Sequence, residues 1–258
     1  GGVPPVYQGA FRPGVGVGDR RSLESPDSAG ATRLNLYQGP GGPSTERRFK
    51  LYRRGPLSLT AVLPLFTHFG VEVVDERPYQ ITRADGVTAH VYDFGLKGGG
   101  PTAWIGSGSE GLRELFQDAF FAVWEGRAES DGFNALVLGG ELTWRQVVIL
   151  RAVAKYLRQT GSTFSQEYVE AALVSNVSIA AQLVSLFETR FDPTYPGAAS
   201  GAEGADEERR GAAEARIVTA ITDALDTVAS PASYRTLPPS LGLAPALTGT
   251  TSSLHGWR

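Results

Sequence analysis

The residues with reactive side chains or ligand-binding spacings are few and widely separated. Gly106-Ser-Gly-Ser-Glu-Gly111 has the spacing with which backbone amides and a helix N-terminus hold a pyrophosphate. That role needs a parallel strand on each side of one βαβ unit. Here the preceding strand belongs to an antiparallel hairpin and residues 126–131 do not read as a strand, so the segment is read as a loop with Ser109 capping the next helix. Gly14-Val-Gly-Val-Gly18 lacks both a preceding strand and a following Lys-Ser/Thr. Asp75 and Glu76 are adjacent, so on a strand they point to opposite faces and cannot share a proton; neighbouring Arg77 suits an ion pair instead. Asp93 is a lone strand carboxylate between Tyr92 and Phe94. His68, His90 and His255 are too dispersed for a metal site. Arg53-Arg54-Gly55 lies between a strand and a helix. Its glycine permits close backbone approach and the helix start attracts an anion, which makes it a candidate effector turn. An ordinary turn with solvated arginines fits it as well. No catalytic, cofactor-binding or metal-ligating residue is predicted.

Composition narrows the classes further. The 258 residues carry a net charge of −3 and no Cys, so there is no disulfide, thiolate ligand or cysteine nucleophile. The pI near 5.7 gives no electrostatic case for nucleic acid. No apolar run approaches the roughly 18 residues of a membrane span, and no signal-peptide pattern is present. These features fit a cytoplasmic protein with neither nucleic-acid nor membrane partners. Without a single Met, the chain is expected to be a piece of a longer polypeptide. Arg outnumbers Lys 21 to 3, but the arginines are scattered and read as coding bias.

The elements that would position these groups come in a definite order. Residues 1–31 are rich in Gly and Pro and read as an extended arm or linker. Arg33–Tyr37 and Arg48–Arg53 alternate as half-buried strands. Leu59, Val62, Leu63 and Phe66 mark one face of a helix with Ser58 as N-cap and Pro64 awkwardly inside it. His68 falls near that helix's C-terminus, where a cation meets the favourable end of the dipole. Gly70 ends the helix. Val71, Val73 and Ile81 then alternate along a strand, and Asp85-Gly86 turns the chain back through Val91 and Tyr92. From Glu110 to Gly126 a helix carries Leu112, Leu115, Phe116, Ala119, Phe120 and Val123 on one stripe, broadened by Phe121 and Trp124. Strand, helix, strand, strand, helix is the ferredoxin-like plan short of its last strand. Arg33–Tyr37 or Phe133–Leu138 could fill that edge. Cap signals at Asp131 and Gly139 favour a short helix for the second, leaving the edge to the first.

The second half is predicted to be helical. Thr143-Trp-Arg-Gln146 is a capping box, followed by Val147, Leu150, Ala154 and Leu157 on one face and closed by Gly161. Ser165 starts another helix through Val169, Ala172 and Leu173; a third runs from about Val177 to before Pro193. Their short loops predict an antiparallel bundle. Residues 194–206 read as a linker, 207–229 as a last helix with an acidic start, and 230–258 as a disordered tail. The expected fold is thus α+β: an antiparallel sheet with two helices over 32–130, then an all-α region over 131–193.

Gly70-Val-Glu-Val-Val-Asp-Glu-Arg-Pro-Tyr79, Val91-Tyr-Asp-Phe-Gly95, Leu142–Gln159, Phe164-Ser-Gln-Glu-Tyr168 and Leu186–Pro193 together resemble the large bacterial NAD-specific glutamate dehydrogenases. The resemblance covers roughly residues 33–229. It implies an ACT-like module followed by the helical region ahead of the catalytic domain. It also implies NAD for the full-length enzyme, none bound by this segment, with the remainder of that chain as partner and a homo-oligomeric assembly. The family's catalytic Lys and Asp belong to a domain this sequence lacks, so no catalytic residue carries over. Residues 230–258 depart from the family's helix and strand at that point. Two other readings of the same segments are an amino-acid-sensing ACT-like module using the 53–55 turn, and an interaction module in which Trp144, Phe164 and Phe187 are partly interface.

Overall fold

The computed structural model describes residues 32–41, 45–82, 86, 88–98, 109–193 and 203–228. The chain divides into two compact units, residues 1–130 and 131–258. Residues 1–31, most of the 194–206 linker, the 230–258 tail and half of the 106–111 motif lie outside the described residues.

In the first unit, four strands form one antiparallel sheet in the order β1-β2-β4-β3. They are β1 (Arg33–Tyr37), β2 (Glu46–Arg53), β3 (Val71–Thr82) and β4 (Thr88–Gly98). Strands β2 and β3 flank β4 and run parallel to each other, joined by helix α1 (Leu59–His68). Helix α2 (Ser109–Trp124) follows β4. This is the ferredoxin-like arrangement with its fourth strand supplied from the N-terminal side, as the cap signals in the sequence favoured. Three side-chain contacts hold that edge strand and its entry. The Leu36 N–H donates to Gln117 Oε1 of α2 (2.6 Å), Trp124 Nε1 to Thr32 Oγ1 (3.1 Å), and the Tyr37 hydroxyl to Asp93 of β4 (2.9 Å).

Alternation along β2 and β4 puts Phe49, Leu51, Phe94 and Leu96 on one face, where α1 and α2 cover them. Phe49 is the centre of an aromatic core, 5.4 Å from Phe66, 5.7 Å from Phe116 and 4.8 Å from Phe120 by ring centroids. Tilted and edge-on pairs of this kind add to the apolar area each ring buries. Helix α1 ends as expected: Phe69 is its C-cap and Gly70 adopts φ +75°, which a side chain would resist. Ser58 occupies the N-cap position, but its hydroxyl pairs with Thr60 Oγ1 (2.7 Å) rather than with a helix amide. Pro64 does lie inside the helix, on its exposed side, and gives up one rung of the backbone ladder.

Strand β3 departs from simple alternation. The register against β4 shifts between Val73 and Asp75, leaving Val74 as a bulge. Val71 and Val73 lie on the helix-facing side, but past the bulge the odd-numbered residues turn to the other side. Ile81 therefore packs not with Val71 but with Tyr52, Val91 and Tyr79 on the face opposite the helices. One inserted residue exchanges the two faces of the strand.

In the second unit a 3₁₀ turn (Gly132–Ala135) runs into α3 (Leu136–Gly139), and α4 (Trp144–Gln159), α5 (Gln166–Ser175), α6 (Val177–Phe191) and α7 (Glu203–Val228) follow. Asp131 caps the 3₁₀ turn through the Phe133 N–H (3.2 Å), and Gly140, one residue later than predicted, caps α3. The Thr143–Gln146 capping box is complete, and Ser165 caps α5 through the Tyr168 N–H (3.2 Å). The helices do not run simply antiparallel: α5 and α6 meet at 102°, because the lone Asn176 between them is too short a link to reverse the chain. Helix α7 begins at Glu203, four residues before the sequence reading placed it. It is clamped to α6 by the Arg190–Glu214 ion pair (3.0 Å) and by Arg210 Nη1 donating to the Arg190 carbonyl (2.8 Å), which satisfies a carbonyl at the α6 C-terminus. Arg151 of α4 makes a two-pronged bond with Asp131, Nε to Oδ2 at 2.6 Å and Nη2 to Oδ1 at 2.8 Å, and reaches Asn134 Oδ1 at 2.8 Å. All three residues are buried.

Candidate functional site: a polar cluster on the sheet face opposite the helices

Residues that alternate with the aromatic core meet on the other face of the sheet. Cross-strand register sets Tyr37 opposite Arg48, Lys50 opposite Asp93, Arg48 opposite Gly95 and Arg77 opposite Asp93. Arg48 is the hub. Its Nε donates to Asp93 Oδ1 (3.0 Å), its Nη2 to the Asp93 carbonyl (2.7 Å) and its Nη1 to Asp75 Oδ1 (2.5 Å). Tyr37 donates to the remaining Asp93 oxygen, and Arg77 Nη2 donates to Asp75 Oδ2 (3.0 Å). The fully buried Lys50 places Nζ 5.2 Å from the centre of the Tyr37 ring. Residues of this cluster, with Gly39, Pro40, Glu46, Arg47 and Val74, line a cleft of about 210 Å³.

Burial and charge act against each other here. Burial pushes the Asp93 carboxyl above its ordinary value, and Arg48, Tyr37 and Lys50 offset only part of that. Burial opposes the charge of Arg48, but Asp93 and Asp75 outweigh it and hold the guanidinium above its usual value. Burial, and then the adjacent Asp93 carboxylate, drive the Tyr37 phenol far above its usual value. The hydroxyl is therefore a fixed donor, not a titrating acid. Gly95 makes the arrangement possible. A Cβ there would collide with Asp75 Oδ1 and lie 3.1 Å from Arg48 Nη1, so the Arg48–Asp75 pair crosses β4 only over a bare backbone.

The sequence reading treated Asp93 as isolated and did not single out Tyr37 or Arg48. A signal was present: each sits next to a residue of the buried face, Leu36, Phe49 and Phe94 respectively for Tyr37, Arg48 and Asp93, and so had to point away from it. Which of them met depended on strand register. The Asp75–Arg77 pair formed as expected. The 53–55 turn lies between β2 and α1, as read from the sequence. Arg53 ends β2 with its guanidinium 5.8 Å from the Trp124 ring centre, Arg54 is exposed, and the nearby Leu57 N–H is taken by the Tyr92 hydroxyl (2.8 Å). His68 Nδ1 pairs with Ser130 Oγ (2.7 Å) and His90 stacks on Tyr92 at 6.3 Å. His255 lies outside the described residues. Among the described residues no helix is long and apolar enough to cross a membrane.

An antiparallel ACT-type sheet with two helices, followed by a separate helical region, defines a modular α+β protein. Residues 31–105 match the family described as glutamate dehydrogenase, ACT3 domain, and residues 128–193 match glutamate dehydrogenase, helical motif 3. The chain is 35% identical over 222 residues to an NAD-specific glutamate dehydrogenase of Halomonas elongata, covering 85% of this chain and 13% of that one. It is 41% identical over 170 residues to the Mycobacterium tuberculosis protein of the same name, covering 65% and 10%, and 33% identical over 228 residues to that of Pseudomonas aeruginosa, covering 88% and 13%. The chain belongs to the NAD-specific glutamate dehydrogenase family as one segment of it, spanning about a tenth of the length of these relatives.

Proposed function

We propose that this chain is a regulatory and scaffolding segment of an NAD-dependent glutamate dehydrogenase, the enzyme that converts L-glutamate, NAD⁺ and water to 2-oxoglutarate, ammonia and NADH. The observation that carries this reading is the paired match in one chain, the ACT3 module followed by helical motif 3. The side-chain chemistry agrees with it. The two charged clusters, Arg48–Asp93–Asp75 and Arg151–Asp131, are bonded internally, with carboxylates on guanidinium groups rather than poised toward a reacting atom. NAD binding and the hydride transfer then fall to the rest of the polypeptide, and the full-length enzyme works as a homo-oligomer in the cytoplasm. The test is direct: purified chain incubated with glutamate and NAD⁺ forms no NADH above the blank in an absorbance assay. Turnover by this chain alone rejects the assignment.

A narrower version assigns the regulatory part to an amino-acid effector at Arg53-Arg54-Gly55, favoured by the exposure of Arg54 at the entry to α1. Calorimetry against a panel of amino acids tests it, and absence of heat with every one rejects it.

A further inference from the structure

Two helices carry exposed stripes of opposite charge that nothing above uses. On α4, Arg145, Val148, Ala152, Lys155 and Tyr156 follow one another at helical spacing on one side, all exposed. The helix holds four cations (Arg145, Arg151, Lys155 and Arg158) and no carboxylate, in a chain of net charge −3. Of the four only Arg151 is buried. Val148 and Tyr156 are 37% and 51% exposed. The stripe is thus an apolar strip with a cation at each end. Arginine and tyrosine are among the residues enriched at protein interfaces.

On α2 the outward stripe is Glu110, Glu114, Asp118 and Phe121, continued past the helix end by Glu125, whose N–H still donates to the Phe121 carbonyl (2.9 Å). All four carboxylates are on exposed residues, with the half-buried Phe121 among them. Glu110 faces Arg113 at 3.7 Å and Glu125 pairs with Arg127, whereas among the described residues Glu114 and Asp118 form no ion pair. The two stripes are opposite in sign, and the cation pair matches in spacing the Glu114–Glu125 part of the acidic stripe. Arg145 and Lys155 stand about 15 Å apart along their helix, and Glu114 and Glu125 about 16 Å along theirs, at the rise of an α-helix.

We propose that the basic stripe of α4 docks on the acidic stripe of α2 of a second copy of this chain. Side chains at three- and four-residue spacing form the ridges by which helices pack. Opposite charges then fix which helix meets which, since α4 against α4 or α2 against α2 sets like charges together. This inference stands on the charge pattern and does not rest on the regulatory reading.

Sedimentation of the 258-residue chain over a range of concentrations tests it. Self-association is expected, weakening as salt is raised, because exposed charges are screened. Two charge-reversed variants follow. One carries Arg145→Glu with Lys155→Glu; the other carries Glu114→Arg, Asp118→Arg and Glu125→Arg. Each is expected to weaken association by at least roughly tenfold while its circular dichroism stays as in the parent. Mixed one to one, the two variants associate again, because each reversed stripe now meets a partner of opposite sign. A parent chain that sediments as a monomer throughout overturns the proposal, as do variants that associate like the parent or a mixture that stays monomeric.

Discussion

At the scale of single residues, the open side of the sheet shows how a buried charge is made tolerable. Asp93 has no exposure, yet both its carboxylate oxygens and its carbonyl accept hydrogen bonds. Gly95→Ala removes the space over which Arg48 reaches Asp75, and forcing a methyl group in is expected to cost about 1–3 kcal/mol, read from urea denaturation. Glu76 is the contrasting case. One of its oxygens is buried without a hydrogen bond, and burial, then the neighbouring Asp75, raise its pKa above the ordinary 4.5. A carboxyl that holds its proton more tightly folded than unfolded makes stability fall as pH rises through the interval between the two values. Glu76→Gln should therefore be more stable than the parent at pH 7, and the gap should narrow as the pH is lowered to about 4, below the raised value. Thermal unfolding at both pH values decides it; an equal gap at each refutes the sign.

At the scale of elements, the buried Arg151 fork ties α4 to the turn before α3. Arg151→Ala takes the guanidinium away from a buried carboxylate and amide, and Asp131 keeps only weaker, uncharged donors such as the Phe133 N–H and the Gln166 amide. The expected loss is about 3–5 kcal/mol in chemical denaturation, the cost of breaking a buried pair from one side. Local signals of this region were legible in the sequence. The capping box at Thr143, the Ser165 cap and the Asp131 cap depend on residues three or fewer apart. The helix faces were legible for the same reason, since Val147, Leu150 and Ala154 repeat within the helix itself. What was not legible depended on distant pairings. The Val74 bulge shows only against β4, so Ile81 was grouped with Val71 and Val73, although it belongs to the other face. The Ser58 hydroxyl went to Thr60, a competition that the spacing of a cap signal does not resolve. Tyr37 and Arg48 lie 56 and 45 residues from Asp93, and only the register of β1, β2 and β4 brings them together.

At the scale of the whole molecule, the sheet owes its completeness to its first strand. In the ferredoxin-like plan the edge beside the first long strand is normally filled by the last; here β1, at residues 33–37, fills it from the N-terminal side. That strand comes before every other element of the sheet and holds on by five residue pairs and a few side-chain bonds. A proteolytic cut in the 38–45 connection, or a chain begun after it, would leave β2 with a bare row of amides and carbonyls beside its most apolar segment. Such an edge is a template for pairing with any other extended chain. Losing β1 therefore replaces a five-residue edge strand by the longer edge of β2, and a truncation placed after Tyr37 is expected to make this domain more prone to aggregate.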